Sequence, residues 1–149
     1  MIKLNLGCGY RKQEGFVNID NRPSVDPDVV CDVIEGLPYA DSTIDYIIAV
    51  DFLEHISIGK TVRVIEEIYR VLKCDGTFEH VTPSTDGRGA FQDPTHVSFW
   101  NSNSWLYYME DSYRDLYNIK AKFVGENKNI ITSDELHIVH THGILKAVK

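Results

Sequence analysis

Ile2-Lys3-Leu4-Asn5-Leu6-Gly7-Cys8-Gly9-Tyr10 decides the fold. A short apolar strand runs straight into Gly7-x-Gly9. Soon after, a second strand-like run, Phe16-Val17-Asn18-Ile19-Asp20, ends in an acid. Glycines after one strand and a carboxylate after the next are how an open α/β sheet holds a nucleoside. The glycines let a ligand approach bare backbone, and the acid accepts hydrogen bonds from ribose hydroxyls. Together they imply an adenosine-type cofactor without saying which. The competing reading, a plain tight turn followed by a solvated strand end, has to be weighed against the segments downstream.

Working outward, a third strand is expected at Val29-Val30-Cys31, ending at Asp32. A fourth, Ile44 to Val50, is nearly all apolar, as a central parallel strand covered on both faces would be. A helix follows, with apolar positions Val62, Ile65, Ile68, Tyr69 and Leu72 and a wet face of Lys60, Arg63, Glu66, Glu67, Arg70 and Lys73. Asp75-Gly76 is expected to end it, with Gly76 left-handed. A fifth strand spans Thr77 to Val81, and a short helix is expected around Ser102 to Met109. Two last strands, near Ile119 to Val124 and Leu136 to Val148, are expected to pair as an antiparallel hairpin at the sheet edge. The fold class is therefore α/β, a Rossmann-like, mostly parallel sheet of about seven strands. The segments after strands one and two, 10–15 and 21–28, are too short for full crossover helices. Shortened crossovers leave one sheet face thinly covered, which predicts a homodimer.

The 149 residues make one domain, 1–149, with room for a hydrophobic core. No apolar run approaches the roughly 20 residues of a membrane span, and the N-terminus enters a strand without a secretory signal. Cys8, Cys31 and Cys74 are odd in number, far apart and without a CxxC, which fits a reducing, cytoplasmic setting. Net charge is -7 with scattered Lys and Arg, so no basic groove for nucleic acid is visible and a small-molecule partner is favoured.

With these segments in place the chain resembles the class I S-adenosylmethionine-dependent methyltransferases of the small methyltransferase-domain type. The matching residues are Leu4 to Gly9, Asp20, the run Cys31 to Asp45 with Leu37-Pro38-Tyr39 at its middle, Val50-Asp51-Phe52-Leu53-Glu54-His55-Ile56, and Arg70 to Gly76. Their shared order carries the resemblance over residues 2–83. It implies S-adenosyl-L-methionine as cofactor. Gly7, Cys8 and Gly9 would pass beneath it, and Asp20 would take the ribose hydroxyls. Asp32 and the backbone of Val33 would meet the adenine edge, and the backbone of Asp51 and Phe52 would lie near the methionine moiety. The family usually has an acid where this chain has Asn5, so the cofactor's ammonium would meet an uncharged amide oxygen. Tyr10 and Arg11, just past the glycines, suit the sulfonium and the cofactor carboxylate. His55 holds a position the family often fills with histidine and is expected to anchor the turn after strand four.

Methyl transfer from a sulfonium is an in-line displacement, so alignment and exclusion of water supply most of the catalysis. A base is needed only for an acceptor protonated at working pH. The long segment Pro83 to Trp100 lies where the family places acceptor-binding groups. Within it His96 is the candidate general base or acceptor-binding group, Asp93 its orienting carboxylate, and Phe99 and Trp100 candidate pocket walls. The competing reading is that His96 only fixes the loop. His137, His140 and His142 offer too few ligands on one strand face for a closed zinc site, so no metal is expected.

The expected function is methyl transfer to an oxygen or nitrogen of a small-molecule acceptor. A non-catalytic or partner-dependent cofactor-binding module is the alternative. A nicotinamide oxidoreductase ranks lower, because a third glycine would fall at Lys12 and no full helix follows. Base-amino methyltransferases carry an Asn/Asp-Pro-Pro-aromatic motif where this chain has Asp51-Phe52-Leu53-Glu54.

Overall fold

A computed structural model describes residues 1–149. Seven strands form one sheet: β1 (Lys3–Leu6), β2 (Val17–Asp20), β3 (Val29–Val30), β4 (Ile44–Val50), β5 (Leu72–Pro83), β6 (Phe123–Ser133) and β7 (Ile138–Ala147), in the order β3-β2-β1-β4-β5-β7-β6. The first five run parallel, and β7 is antiparallel to both β5 and β6. The mostly parallel sheet with an antiparallel C-terminal hairpin is thus as the sequence pattern requires. The ligand-binding end of such a sheet lies outside the carboxyl ends of the parallel strands, where the chain order reverses. Here that point is between β1 and β4.

Register explains which face is the core. Paired residues point to the same side, so Leu4, Leu6, Ile19, Ile47, Ala49, Phe78 and Leu145 share one face, and all are fully buried. Helix α1 (Thr61–Val71) lays Val64, Ile65, Ile68 and Val71 into the same cluster, and the segment after β5 adds Trp105 and Tyr108. Spacings of three and four residues put these α1 side chains on one stripe. Val62 lies off that stripe and is exposed, contrary to the expected apolar set.

The opposite face carries Lys3, Tyr46, Thr77 and Lys146 in one row and Ile48, Glu79 and Ile144 in the next. Its polar groups bond to one another: Tyr46 donates to Glu79, His142 meets Glu79 at 3.0 Å, and Lys146 donates to Thr77 at 2.7 Å. The crossovers from β1 to β2 and from β2 to β3 hold no α-helix, only a single turn at Pro23–Val25. No helix is long and apolar enough to cross a membrane.

Some element ends differ from expectation. The α1 helix stops at Val71, and Leu72 already pairs with Ile44 as the first residue of β5. Residues 73–76 then loop out before Thr77 pairs with Tyr46. Asp75, not Gly76, takes the left-handed conformation, at φ 61. Gly76 is required for space instead, since a Cβ there would stand 2.9 Å from the Lys73 carbonyl. β6 starts and ends later than read, β7 starts two residues later and ends one residue earlier, and His137 lies in their turn rather than on a strand. The helix expected near 102–109 is a 3-10 turn (Ser102–Trp105) leading into α3 (Leu106–Met109); α2 (Gly89–Gln92) and α4 (Asp111–Tyr117) were not foreseen.

Candidate active site

Gly7 and Gly9 both have positive φ, +62 and +50, and turn the chain at the end of β1. The bend is tied to β2 at two points. The Cys8 amide donates to the Ile19 carbonyl at 3.0 Å, and the Gly9 amide donates to Asp20 Oδ2 at 2.9 Å. Asp20 is 5% exposed, and its Oδ1 accepts from the backbone amide and Nε of Arg22 at 2.9 and 3.1 Å. Burial works to raise this carboxyl, but the hydrogen bonds from Arg22 and Gly9 outweigh it and hold it below its ordinary value. Cys8 is buried beneath the bend, which raises its thiol and keeps it unreactive.

A cleft of about 450 Å³ opens over this junction. Gly7, Ile19, Asp20 and Arg22 form one side, Asp32, Val33 and Ile34 the second, and Asp51, Phe52, His55, Ile56 and Thr95 the third. Asp32 is exposed and accepts from the Ile34 amide at 3.0 Å, while Val33 is buried. The Phe52 ring lies against Gly7 so closely that a Cβ on Gly7 would be 2.3 Å from Phe52 Cδ2. A smaller hollow of about 360 Å³ adjoins it through Gly7, Arg22 and Asp51, and is lined also by Asn5, Cys8, Gly9, Tyr10 and Arg11. Arg11 pairs with Asp51 at 3.0 Å between the two spaces. On the other side of Asp51, His140 Nε2 stands 3.5 Å away. That histidine lowers the Asp51 carboxyl most, with Arg11 adding to it against the opposing effect of burial. Asn5 is buried, and its amide nitrogen donates to the Arg11 carbonyl and to Asn18 Oδ1, bracing the loop.

Known proteins share this fold. The family model "Methyltransferase domain" matches residues 10–79. The fold is similar to a SAM-dependent methyltransferase from Archaeoglobus fulgidus (16% identity, 97% of this chain and 85% of that one, TM-score 0.70). It is also similar to the 1,6-didemethyltoxoflavin-N1-methyltransferase of Burkholderia thailandensis, solved with 1,6-didemethyltoxoflavin and S-adenosylhomocysteine bound (14%, 99% and 71%, TM-score 0.67). A third is the Haloferax volcanii complex of the Trm112 methyltransferase activator with a methyltransferase described there as unconfirmed (14%, 96% and 81%, TM-score 0.66). At these identities the structural likenesses speak for the fold. No curated protein matches the sequence.

Over residues 10–79 the chain matches the methyltransferase-domain family, and its fold is similar to that of S-adenosylmethionine-dependent methyltransferases.

The matching domain and its S-adenosylmethionine-dependent neighbours support S-adenosyl-L-methionine as the cofactor. Every residue that the resemblance assigned to the cofactor lines one of the two adjoining spaces. The acceptor-side candidates are placed differently. His96 has a side chain only 7% exposed, and its Nδ1 bonds to the Ala90 carbonyl at 3.1 Å. Asp93 Oδ2 is 3.7 Å from His96 Nε2, while its Oδ1 is held by the amide and hydroxyl of Thr95. Thr95 and His55, rather than His96, form the cleft wall. Phe99 and Trp100 line a separate aromatic groove of about 490 Å³ with Tyr107 and Tyr108.

Sequence reasoning gave no role to Glu54 or Arg22. Glu54 sits in the turn Leu53–His55 that follows β4, is 1% exposed, and neither carboxylate oxygen has a hydrogen-bond partner. Burial pushes its carboxyl up to about 8, with Asp51 and Asp93 adding repulsion. One signal was visible: a lone acid inside the apolar run Leu53-Glu54-His55-Ile56 has to be either solvated or buried for a purpose.

Proposed function

We propose that this protein transfers a methyl group from S-adenosyl-L-methionine to an oxygen or nitrogen of a small-molecule acceptor. The observation that carries the reading is the bond from Gly9 to Asp20, which fuses the glycine bend and the β2 carboxylate into one rim of the cleft.

The residues present fit the cofactor. The cleft lies within the range of about 300–1,000 Å³ common for small-molecule sites. Asp20 is pre-ionised, and the Arg22 side chain that now caps it is 59% exposed, free to turn into solvent and yield the carboxylate to ribose hydroxyls. Asp32 and the Val33 backbone suit the adenine edge. Asn5 and Arg11 border the smaller hollow, where an ammonium and a carboxylate would lie. Arg11 has to exchange Asp51 for that carboxylate. The cofactor supplies an electrophilic methyl on a sulfonium. The chain's own residues orient the acceptor and exclude water, an effect on the order of several kcal/mol. We read residues 1–149 as a single methyltransferase domain.

Calorimetry against S-adenosylmethionine, S-adenosylhomocysteine and NAD in parallel tests this. Binding of the first two is expected; binding of NAD alone overturns it. A second reading, a module completed by a partner, draws on the sheet face that no crossover helix covers. The Haloferax neighbour solved with an activator protein is consistent with it. Failure of all three ligands would favour that reading, and a monomer by light scattering would remove a second copy of this chain as the partner.

A further inference from the structure

We propose that Glu54, His55 and His96 form a binding site for one divalent first-row transition-metal ion at the edge of the cleft. One donor atom from each residue lies within 4.8 Å of the other two. Donors about 2.1 Å from a common ion stand at most about 4.2 Å apart. The cluster therefore has to draw in only slightly, and the exposed His55 has the freedom to do so.

Glu54 is the stronger argument. It is 1% exposed, accepts no hydrogen bond at either oxygen and belongs to none of the chain's ion pairs. A carboxylate buried without donors is costly, and such an orphan in a folded protein points to a missing ion or water. Asp51 and Asp93 add negative charge around it.

Both imidazoles are oriented as ligands. His96 Nδ1 is held by the Ala90 carbonyl at 3.1 Å, and His55 Nδ1 faces the Thr95 carbonyl at 3.4 Å. Carbonyls at Nδ1 leave each Nε2 as the unprotonated, metal-seeking nitrogen, the usual outer support of a ligating histidine. The two rings meet edge-on with centroids 5.2 Å apart. Their backbones are strapped together: Val97 and Ser98 amides donate to the Glu54 carbonyl at 2.8 and 3.1 Å, and Ser98 Oγ donates to the Leu53 carbonyl at 2.9 Å. The site is built by the turn after β4 and the loop after α2, not by chance neighbours on a surface.

Two imidazoles and one carboxylate favour manganese, iron, cobalt, nickel or zinc over magnesium or calcium, which prefer oxygen-only shells. Three protein ligands leave at least one coordination position. His55 and Thr95 belong to the cleft wall, so that position opens on the cleft, where an oxygen of the acceptor completes the shell. This use of the ion rests on the methyl-transfer reading; the binding itself does not.

The test uses the full chain stripped with EDTA. Co²⁺ is titrated and followed by its visible absorption, Zn²⁺ and Mg²⁺ by calorimetry, and each by thermal unfolding. Expected are one equivalent of Co²⁺ or Zn²⁺, a raised Tm, and Mg²⁺ binding at least a hundredfold weaker. Glu54→Gln, which keeps the side-chain shape, and His55→Ala, at an exposed position, should each weaken Co²⁺ at least tenfold with an unchanged circular-dichroism spectrum. No saturable one-to-one binding below millimolar Co²⁺, or equal binding by both variants, overturns the proposal. S-adenosylmethionine calorimetry on the same stripped sample separates the two readings. Loss of cofactor binding with retained Co²⁺ binding faults the methyl-transfer reading alone, and the reverse faults the ion site alone.

Discussion

The amide of Gly9 donates to Oδ2 of Asp20 across 2.9 Å and ties the end of β1 to the end of β2. The bond is charge-assisted and lies beside a buried carboxylate. Asp20→Asn removes the charge that accepts from Gly9 and Arg22, and its loss is expected to cost about 1.5–3 kcal/mol of stability. Urea unfolding measures that, and calorimetry should show cofactor affinity falling at least tenfold. Unchanged affinity would remove Asp20 from the site.

Gly7→Ala should fail for two separable reasons. Its φ of +62 disfavours any side chain, and the new Cβ would meet Phe52 Cδ2 at 2.3 Å. Strain and overpacking of this kind cost on the order of 1–3 kcal/mol each. Pairing it with Phe52→Ala removes only the clash, so a double-mutant cycle should recover part of the loss and leave the backbone share.

Arg22→Ala opens the Asp20 carboxylate to a ligand while deleting a half-exposed ion pair worth about 0.2–1 kcal/mol. Cofactor affinity should hold or rise. Asp20 is depressed in the folded chain, so its contribution is present above the ordinary carboxylate range and lost as pH falls through the folded value. Without Arg22 that value moves up towards normal. Acid unfolding should therefore begin at a higher pH, which a circular-dichroism titration would detect.

His80 is fully buried and stacked on Trp105 with ring centroids 3.8 Å apart. Burial pushes its imidazole from 6.5 down to about 3. The unfolded chain binds the proton first, so stability falls as pH drops below 6.5 and continues to fall towards 3. His80→Met, an apolar side chain in the same core slot, should flatten this loss in urea midpoints measured between neutral and acid pH. An equally acid-sensitive variant would assign the effect elsewhere.

Much of the architecture was legible because local pattern and global fold agree. The apolar run Ile44 to Val50 could only be an inner strand, and the two short crossovers left no length for helices. The end of α1 was not legible, because Leu72 continues the apolar period and Gly76 imitates a left-handed stop. Pairing of Leu72 with Ile44 overrode both. His96 stood out by its company in a long loop, but which way its nitrogens face is set by the Ala90 carbonyl and by Asp93, neither of which pattern can orient.

By itself the sequence determined the glycine bend, the acid at the end of β2 and the succession of strands along the chain, since these follow from φ preference, alternation and chain length. Only the tertiary structure decided that Glu54 is left without a partner next to two histidines and that Arg22 caps Asp20. Burial and hydrogen-bond satisfaction belong to segments distant in the chain, and no local pattern counts the donors that another segment brings or withholds.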